Sequence, residues 1–99
     1  MAAYFIAQYV VKDPKLYREY QVAAAPTIKE CGGEVVAFDV AAETIEGTPP
    51  GPHTVILKFE STEAAKTWYG SPGYQAVVGK RLAATHGFAV ISQSMNLKG

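Results

Sequence analysis

The pattern of hydrophobic and polar positions predicts a strand and then a helix in the first third of the chain. Apolar, aromatic and β-branched residues fill positions 4–11, as in a strand. Asp13 then provides an N-cap followed by a proline suited to a first helical turn, and Gly32 and Gly33 end the helix. Pro26 falls on the polar side, where it is expected to kink or break the helix. The apolar face recurs at helical spacing and consists of Leu16, Tyr17, Tyr20, Ala24, Ile28 and Cys31.

The remaining pattern predicts three more strands and a second helical region. Residues 34–46 form the second strand and "HTVILKFE" the third, with the proline-rich turn "GTPPGPH" between them. Ser61 caps a short helix. Ser71 and the proline after it begin another helix, which is predicted to continue through Thr85, and residues 87–97 form the last strand.

This order of strand, helix, strand, strand, helix and strand is typical of a ferredoxin-like α+β domain, and residues 1–99 are expected to form one such domain. In that fold both helices cover one face of an antiparallel sheet. The strands nevertheless carry apolar groups on both faces, as the first strand does with Tyr4, Phe5, Ile6, Ala7, Tyr9, Val10 and Val11. The chain has no element left to cover the second face, so we predict a homodimer that packs sheet against sheet.

Composition supports a small globular protein and argues against several other classes. Of the 99 residues, 48% are hydrophobic and 18% are charged, so disorder is not expected. Nine basic and nine acidic residues give a net charge of zero with no run of one sign, which argues against a nucleic-acid partner. The N-terminal stretch lacks a basic leader and a spanning length, so neither a signal peptide nor a membrane helix is expected. A single cysteine fits a reducing compartment, and a cytoplasmic location is predicted.

A set of spaced motifs carries a family resemblance. The signature "YREY…CGGEVV…ETIEG…VILKFES…AAKTWYGSPGYQAVVGKR" resembles a family of short, mostly bacterial proteins known as a domain of unknown function, numbered thirteen-thirty. Glu46 with the glycine after it, and the segment from Trp68 to Arg81, are its most specific parts. The resemblance covers about the whole chain and implies a dimeric α+β barrel, in which two ferredoxin-like sheets pack face to face. The wider superfamily includes cofactor-free monooxygenases, small isomerases and lactone-handling enzymes, so the resemblance implies a fold but no particular reaction.

Arg81 is the first candidate functional residue because it interrupts the apolar face of the last helix. A guanidinium stays protonated, and its burial requires acceptors. One interpretation is a structural salt bridge, for which the family-signature carboxylate of Glu46 is the expected partner. The other is an anion clamp, in which Arg81 binds a carboxylate or enolate of a small ligand and Glu46 is its partner or a general base. Pairing with Arg81 would weaken Glu46 as a base, because it lowers the carboxyl pKa. The interrupted apolar face consists of Tyr74, Val77, Val78 and Leu82.

Further candidate ligand-binding residues are Tyr20, Trp68, Tyr74 and His53. Aromatic residues at helical spacing usually belong to a core, but a cleft between helices and sheet would present their hydroxyls to a ligand. Tyr20 is expected to donate a hydrogen bond in such a pocket, and Trp68 to form an apolar wall. His53 follows the proline-rich turn and has no partner at a metal-binding spacing, so neither a metal nor another cofactor is expected.

The sequence leaves three functions open. The first is a small-molecule site, which a cofactor-independent enzyme would use on a small organic acid or carbonyl compound with Arg81 and Glu46 as candidate catalytic residues. The second is a non-catalytic module that binds a ligand in the same pocket. The third is a dimeric structural domain, in which Arg81 and Glu46 form an internal brace and there is no ligand.

Overall fold

A four-stranded antiparallel sheet forms one layer of the molecule. The computed structural model describes residues 1–95, so the last two positions of the predicted final strand, 96 and 97, lie outside the described residues. The strands follow the spatial order β2-β3-β1-β4, and each neighbouring pair is antiparallel. Their bounds are β1 (Ala3–Val11), β2 (Glu34–Asp39), β3 (His53–Phe59) and β4 (Thr85–Gln93).

The helices form the second layer, on one face of the sheet. The first connection contributes one long helix, and the connection between β3 and β4 contributes three short ones. This arrangement confirms the predicted ferredoxin-like α+β fold. Within residues 1–95, no helix combines the length and the apolar character needed to cross a membrane. The helices are α1 (Pro14–Glu30), α2 (Thr62–Tyr69), α3 (Pro72–Gln75) and α4 (Val78–Ala84).

The core between the two layers is rich in aromatic side chains. Along β1 every second residue faces the helices and is buried, including Phe5 and Tyr9. Trp68 of α2 and Tyr74 of α3 are fully enclosed, and the Trp68 ring meets Phe5 edge-on with 5.2 Å between centroids. Fully burying a large apolar side chain contributes about 1.5–3 kcal/mol, so these contacts are the main force holding the short helices on the sheet.

Three helices begin at the N-caps that the sequence predicts. The Asp13 carboxylate accepts a hydrogen bond from the backbone N–H of Leu16 at 3.1 Å. The hydroxyls of Ser61 and Ser71 cap α2 and α3 in the same way. After α1, Gly32 adopts a φ of 75°, the left-handed conformation that commonly ends a helix.

Pro26 does not break α1, which runs unbroken through it. The proline is exposed, so its ring occupies no core space and costs the helix one backbone hydrogen bond. Next to it, the Thr27 hydroxyl donates to the Ala24 carbonyl at 2.7 Å and accepts from the Trp68 indole N–H at 3.1 Å. These tertiary contacts hold the turn in which local propensity favours a break.

The predicted end of the second strand is wrong by several residues. We expected the strand to reach residue 46, but β2 ends at Asp39. The Asp39 carboxylate accepts a hydrogen bond from the backbone N–H of Ala41 at 2.9 Å, which turns the chain at the strand end. Residues 40–52 then form a loop without regular structure.

The helix predicted from residue 71 to 85 is in fact two helices, α3 and α4. At the break, the N–H of Val77 bonds to the carbonyl of Tyr74, three residues back, at 2.9 Å. Val77 and Val78 are both β-branched, which weakens helical continuity. Thr85 is not helical and instead begins β4.

The second face of the sheet is uncovered and largely apolar. Ile6 and Ile56 are Cα partners at its centre. Around them, Val10, Phe88 and Val90 are 39%, 48% and 49% exposed. As predicted, no element of the described chain covers this face.

Candidate functional site

A cleft opens between α1 and the β2–β3 side of the sheet. It encloses a cavity of about 230 Å³. A second, more open cavity shares Tyr17, Gln21 and Phe38 with the first and continues it toward His53. The walls of the first cavity are mostly apolar: Phe5, Tyr9, Tyr17, Tyr20, Gln21, Ala24, Ala25, Ile28, Val35, Phe38, Val55 and Leu57.

The cleft exists because the helices cover the sheet unevenly. α2 packs on β1, β3 and β4, and α4 packs against α1, whereas β2 makes its main contacts with β3. Val35 and Phe38 of β2 pair with Leu57 and Val55 of β3, which line the cleft, yet they remain 56% and 48% exposed. An apolar concavity with a few polar groups is the usual form of a small-molecule site.

Two tyrosines and a histidine form a hydrogen-bonded row along the cleft. The hydroxyl oxygens of Tyr9 and Tyr17 are 2.8 Å apart, and the Tyr17 oxygen lies 3.0 Å from Nε2 of His53. The imidazole stacks on the Tyr9 ring at 5.3 Å and meets the edge of Phe38 at 5.1 Å, measured between centroids. Since Tyr17 borders both cavities and His53 borders the second, the row connects them.

The row follows from strand register and from two glycines. Tyr9 and His53 are Cα partners on neighbouring strands, so their side chains emerge side by side on the helix-covered face. Tyr17 reaches them from the first turns of α1. A Cβ at Gly87 would collide with Tyr9, and one at Gly51 would collide with the backbone of Tyr9. Positions 51 and 87 must therefore both be glycine for these segments to approach Tyr9 so closely.

A second row lies deeper between α1, α3 and α4. The hydroxyl oxygens of Tyr20 and Tyr74 are 2.8 Å apart, and the Tyr74 hydroxyl accepts a hydrogen bond from Nε of Arg81 at 3.4 Å. Tyr20 borders the cleft, whereas Tyr74 is fully enclosed and Arg81 is 5% exposed. The two rows meet where the rings of Tyr17 and Tyr20 lie 5.7 Å apart on α1.

Arg81 is a buried cation whose surroundings are phenol rings. Its guanidinium carbon lies 5.8 Å from the centroid of the Tyr9 ring, within the range of a cation–π interaction. Together with the hydrogen bond to Tyr74, this contact replaces part of the solvation that the charge loses. The prediction that Arg81 lies within the buried face is confirmed.

The salt bridge predicted between Arg81 and Glu46 does not form within the described chain. Among residues 1–95, the ion pair present joins Lys80 and Glu19 at the surface, with 3.5 Å between nitrogen and oxygen. Glu46 is exposed in the loop after β2, because that strand ends before reaching it. Arg81 borders neither of the two cavities, so it does not contact the space in which a ligand would lie.

Burial keeps the tyrosines of the site protonated. Burial raises the pKa values of Tyr9, Tyr17 and Tyr20 above the usual 10.0, while the positive charge of Arg81 acts in the opposite direction on all three. Burial by itself would lower the pKa of Arg81, but its neighbours, Tyr74 above all, more than offset this and raise it. The cleft therefore presents neutral hydroxyls with a permanent positive charge behind them.

His53 is also a neutral group at physiological pH. Burial lowers its pKa below the usual 6.5, and the carboxylate of Asp39 offsets this only in part. A neutral imidazole has one nitrogen that donates and one that accepts. In the tautomer that leaves Nε2 free to accept, the Tyr17 hydroxyl donates to His53.

The structure places the candidate ligand-binding residues at different depths. Tyr20 and His53 border the cleft, and their role in binding a ligand stays a prediction. Trp68 and Tyr74 are enclosed behind it, so neither forms the pocket wall.

Three wall residues were not selected from the sequence. Tyr9 has a signal, because alternation along β1 places it on the same face as Phe5. Tyr17 lies three positions before Tyr20 on the apolar face of α1, where it was treated as core. Phe38 carries no usable signal. Strict alternation along β2 would place it on the opposite face from Val35, but a register shift between Val35 and Ala37 turns it toward the cleft.

The chemistry available in the cleft is that of protons and negative charge. Its hydroxyls both donate and accept, its imidazole accepts a proton, and the cation behind them favours an anion. Within the described part of the chain, no three side chains of His, Cys, Asp or Glu lie close enough together to hold a metal ion.

Solved structures of other proteins share this fold. RPA0582 from Rhodopseudomonas palustris, a protein of unknown function, aligns with a TM-score of 0.78 and 18% identity over 96% of this chain and 83% of its own. SnoaB from Streptomyces nogalater, a cofactor-independent oxygenase, aligns with a TM-score of 0.69 and 12% identity over 96% and 94%. HapK from Hahella chejuensis aligns with a TM-score of 0.61 and 12% identity over 94% and 92%. At these identities the similarity establishes the fold alone.

The sequence itself identifies the family. No curated protein matches the chain. A family model matches residues 2–95, which includes the strands, the helices and both tyrosine rows described above. The chain belongs to the family described as domain of unknown function, DUF1330.

Proposed function

We propose that this protein binds a small, largely apolar organic acid or carbonyl compound in the cleft between α1 and β2–β3. The observation that carries the proposal is the cleft itself, with apolar walls and a row of hydroxyl and imidazole groups along it. Its volume of about 230 Å³ suits a molecule with one or two rings or a short chain.

The charge distribution supports an acidic ligand. Arg81 acts on Tyr9, Tyr17 and Tyr20 from behind the wall, and it has no carboxylate partner among residues 1–95. In a site with mostly apolar walls, such a charge favours a carboxylate or an enolate over a neutral group. Tyr20 and Tyr17 supply hydroxyls for hydrogen bonds to its oxygen atoms.

The tyrosine hydroxyls and the imidazole of the cleft favour a cofactor-independent reaction at this site. Tyrosine and histidine side chains within hydrogen-bond distance of each other are the groups that general acid–base catalysis employs. The cofactor-independent oxygenase SnoaB shows that this fold can carry such activity, although at 12% identity it lends support through the fold only. A non-catalytic binding module would use the same cleft and would bind ligand without turnover.

A thermal-shift screen tests the proposal. Small carboxylates, hydroxy acids, phenols and aromatic ketones are added to the purified protein, and a compound that fills the cleft raises its Tm. Ala25→Trp places a large ring at the cleft wall and is expected to abolish the shift. Val22→Trp, on α1 outside both cleft cavities, is the matched control and keeps it. If no compound stabilises the protein, or if Ala25→Trp responds as the parent does, the cleft is not the binding site.

Arg81→Met tests the role of the buried charge. Methionine retains most of the side-chain volume, so the fold is retained while preference for anionic over neutral ligands of equal size falls about tenfold. Lys80→Met removes the neighbouring surface cation and is expected to leave the preference unchanged. Equal effects of the two substitutions would contradict a specific role for Arg81.

We also propose that two copies pack through the uncovered sheet face to form a homodimer. Support comes from the apolar residues exposed there and from the resemblance to dimeric α+β barrels. Ile56→Glu places a charge at the centre of this face and is expected to give a monomer, whereas Val22→Glu on α1 leaves the assembly unchanged. Light scattering at micromolar concentration decides the matter, and a monomeric parent protein would refute the proposal.

A further inference from the structure

Building on the proposed function, we propose that Tyr17 and His53 form an acid–base pair that takes the proton from an acidic hydroxyl group of a ligand in the cleft, either a phenol or the enol of a carbonyl compound. Tyr17 is the one residue of the pair that borders the first cavity, and it borders the second as well. Its oxygen lies 3.0 Å from Nε2 of His53, close enough for direct proton transfer.

The hydrogen bonds around the Tyr17 oxygen leave one place for a ligand. A hydroxyl donates once and accepts twice. When Tyr17 donates to Nε2 of His53 and accepts from the Tyr9 hydroxyl at 2.8 Å, one acceptor site remains for a ligand in the cavity that Tyr17 borders. A ligand hydroxyl that donates to this site completes the set.

Proton transfer then proceeds along the row without a net charge change on Tyr17. The O–H bond of the ligand breaks and a new O–H bond forms on Tyr17, while the original O–H bond of Tyr17 breaks and an N–H bond forms on Nε2 of His53. The ligand becomes a phenolate or enolate, and His53 becomes an imidazolium. The net result is the transfer of one proton from the ligand to the imidazole, with no oxidation or reduction.

The groups around His53 suit this step. Tyr9 and Tyr17 face the imidazole from β1 and α1, and both are neutral. Asp39 of β2 is the nearby carboxylate that favours the imidazolium once it forms. Arg18 borders the same cavity from α1. Burial lowers the pKa of His53, so the imidazole is unprotonated before the ligand arrives. Behind Tyr9, the charge of Arg81 favours the ligand oxyanion.

The walls specify the rest of the ligand. The first cavity is lined mainly by carbon, with Phe5, Phe38 and Leu57 opposite α1. A planar aromatic or conjugated molecule fills such a space and places one oxygen at Tyr17. An acidic hydroxyl attached to a conjugated system is the chemical class that satisfies both the walls and the pair.

The probe for this proposal is 4-nitrophenol, whose ionised and neutral forms have different absorption spectra. The spectrum of the bound probe, recorded against pH, reports its apparent pKa in the cleft. In the parent protein the bound probe is expected to be ionised, with about a tenfold greater ionised-to-neutral ratio than in His53→Gln. Glutamine retains a hydrogen bond to Tyr17 but cannot hold the proton. His86→Gln, an exposed histidine of β4, is the matched control and behaves as the parent does.

A second variant and a direct measurement protect the test from folding artefacts. Tyr17→Phe keeps the ring that packs on Tyr9 but interrupts the row, so the bound probe is expected to be neutral there too. The ¹⁵N chemical shift of His53 Nε2 should change to that of a protonated nitrogen when 4-nitrophenol binds. Folding of each variant is checked by circular dichroism.

The outcomes separate this proposal from the proposed function. If the probe binds the parent and both variants with the same ionised fraction, the cleft is a binding site but Tyr17 and His53 are not an acid–base pair. If Ala25→Trp binds the probe as the parent does, both the pair and the cleft proposal are refuted. If the parent does not bind the probe, the pair is refuted, and the thermal-shift screen decides the cleft proposal separately. Loss of ionisation in both His53→Gln and Tyr17→Phe, with ionisation retained in His86→Gln, supports the pair.

Discussion

The two tyrosine pairs of this protein have the same hydrogen-bond length and differ in what lies at their ends. Tyr9 with Tyr17 and Tyr20 with Tyr74 are each separated by 2.8 Å between hydroxyl oxygens. The first pair ends at an imidazole that borders a cavity, and the second ends at a guanidinium that is 5% exposed. We refer to them as the cleft row and the core row.

Because of this difference, the two tyrosine pairs have different roles. The terminal group of the cleft row is an imidazole that is neutral at physiological pH and can accept a proton, whereas the terminal group of the core row keeps its charge at every accessible pH. The enclosed hydroxyl of Tyr74 in the core row has no water to replace a lost partner, so it specifies packing. Hydroxyls of the cleft row can exchange a protein partner for water or ligand, so they serve recognition.

The largest expected effect comes from removing a wall of the core row. Trp68→Ala deletes a fully enclosed ring and should lower the free energy of unfolding by about 3–5 kcal/mol, measured by urea denaturation. Phe38→Ala removes a half-exposed ring from the cleft wall and should cost less than about 1.5 kcal/mol. Similar costs for the two would show that the cleft is as tightly packed as the core.

A smaller effect separates the hydroxyls of the two rows. Tyr74→Phe leaves the Tyr20 hydroxyl and Nε of Arg81 without their partner, at a cost of about 1–3 kcal/mol. Tyr17→Phe should cost less than about 1 kcal/mol, because the Tyr9 hydroxyl can turn to water in the cleft. Chemical denaturation of both variants gives the comparison, and a larger cost at Tyr17 would reverse the assignment of the rows.

Alkaline pH should destabilise the folded protein through the tyrosines of both rows. The pKa values of Tyr9, Tyr17 and Tyr20 are raised by burial, so above the usual 10.0 the unfolded chain loses these protons before the folded one does. The corresponding stability is complete below about pH 10 and falls as the pH rises beyond it. Thermal unfolding between pH 8 and about 11 measures the loss, which Tyr20→Phe should reduce. Tyr4→Phe, on the opposite face of the sheet, is the control.

The smallest expected effect is a loss of stability at acidic pH, and it comes from the cleft row alone. Because the folded pKa of His53 lies below the usual 6.5, the unfolded chain binds the proton first as the pH falls. Stability that is present above pH 6.5 is therefore lost below it, toward the lower folded value. His53→Gln should flatten the Tm profile between pH 7 and about 5, while His86→Gln should leave it unchanged. A flat profile in the parent would contradict a buried neutral imidazole.

Local sequence signals predicted most of the fold and only part of the site. Asp13, Ser61 and Ser71 marked three helix starts because capping depends on neighbours within a few positions. The end of β2 and the break before α4 were missed, because the spacing of apolar residues does not reveal the Asx turn at Asp39 or the loss of helical continuity at Val77 and Val78. Of the candidates chosen from the sequence, Tyr20 and His53 border the cleft, but Glu46 was assigned to Arg81 on the family signature and is exposed in the loop after β2.

By itself, the sequence determined the order of elements, the ferredoxin-like fold, the burial of Arg81 and the apolar second face of the sheet. These properties follow from the spacing of apolar residues, which each segment carries locally. Only the tertiary structure decided which groups meet: that Tyr9 and His53 are strand partners, that Phe38 turns into the cleft, and that Arg81 is surrounded by tyrosines. Register and helix placement bring together residues far apart in the chain, and no local pattern contains that information.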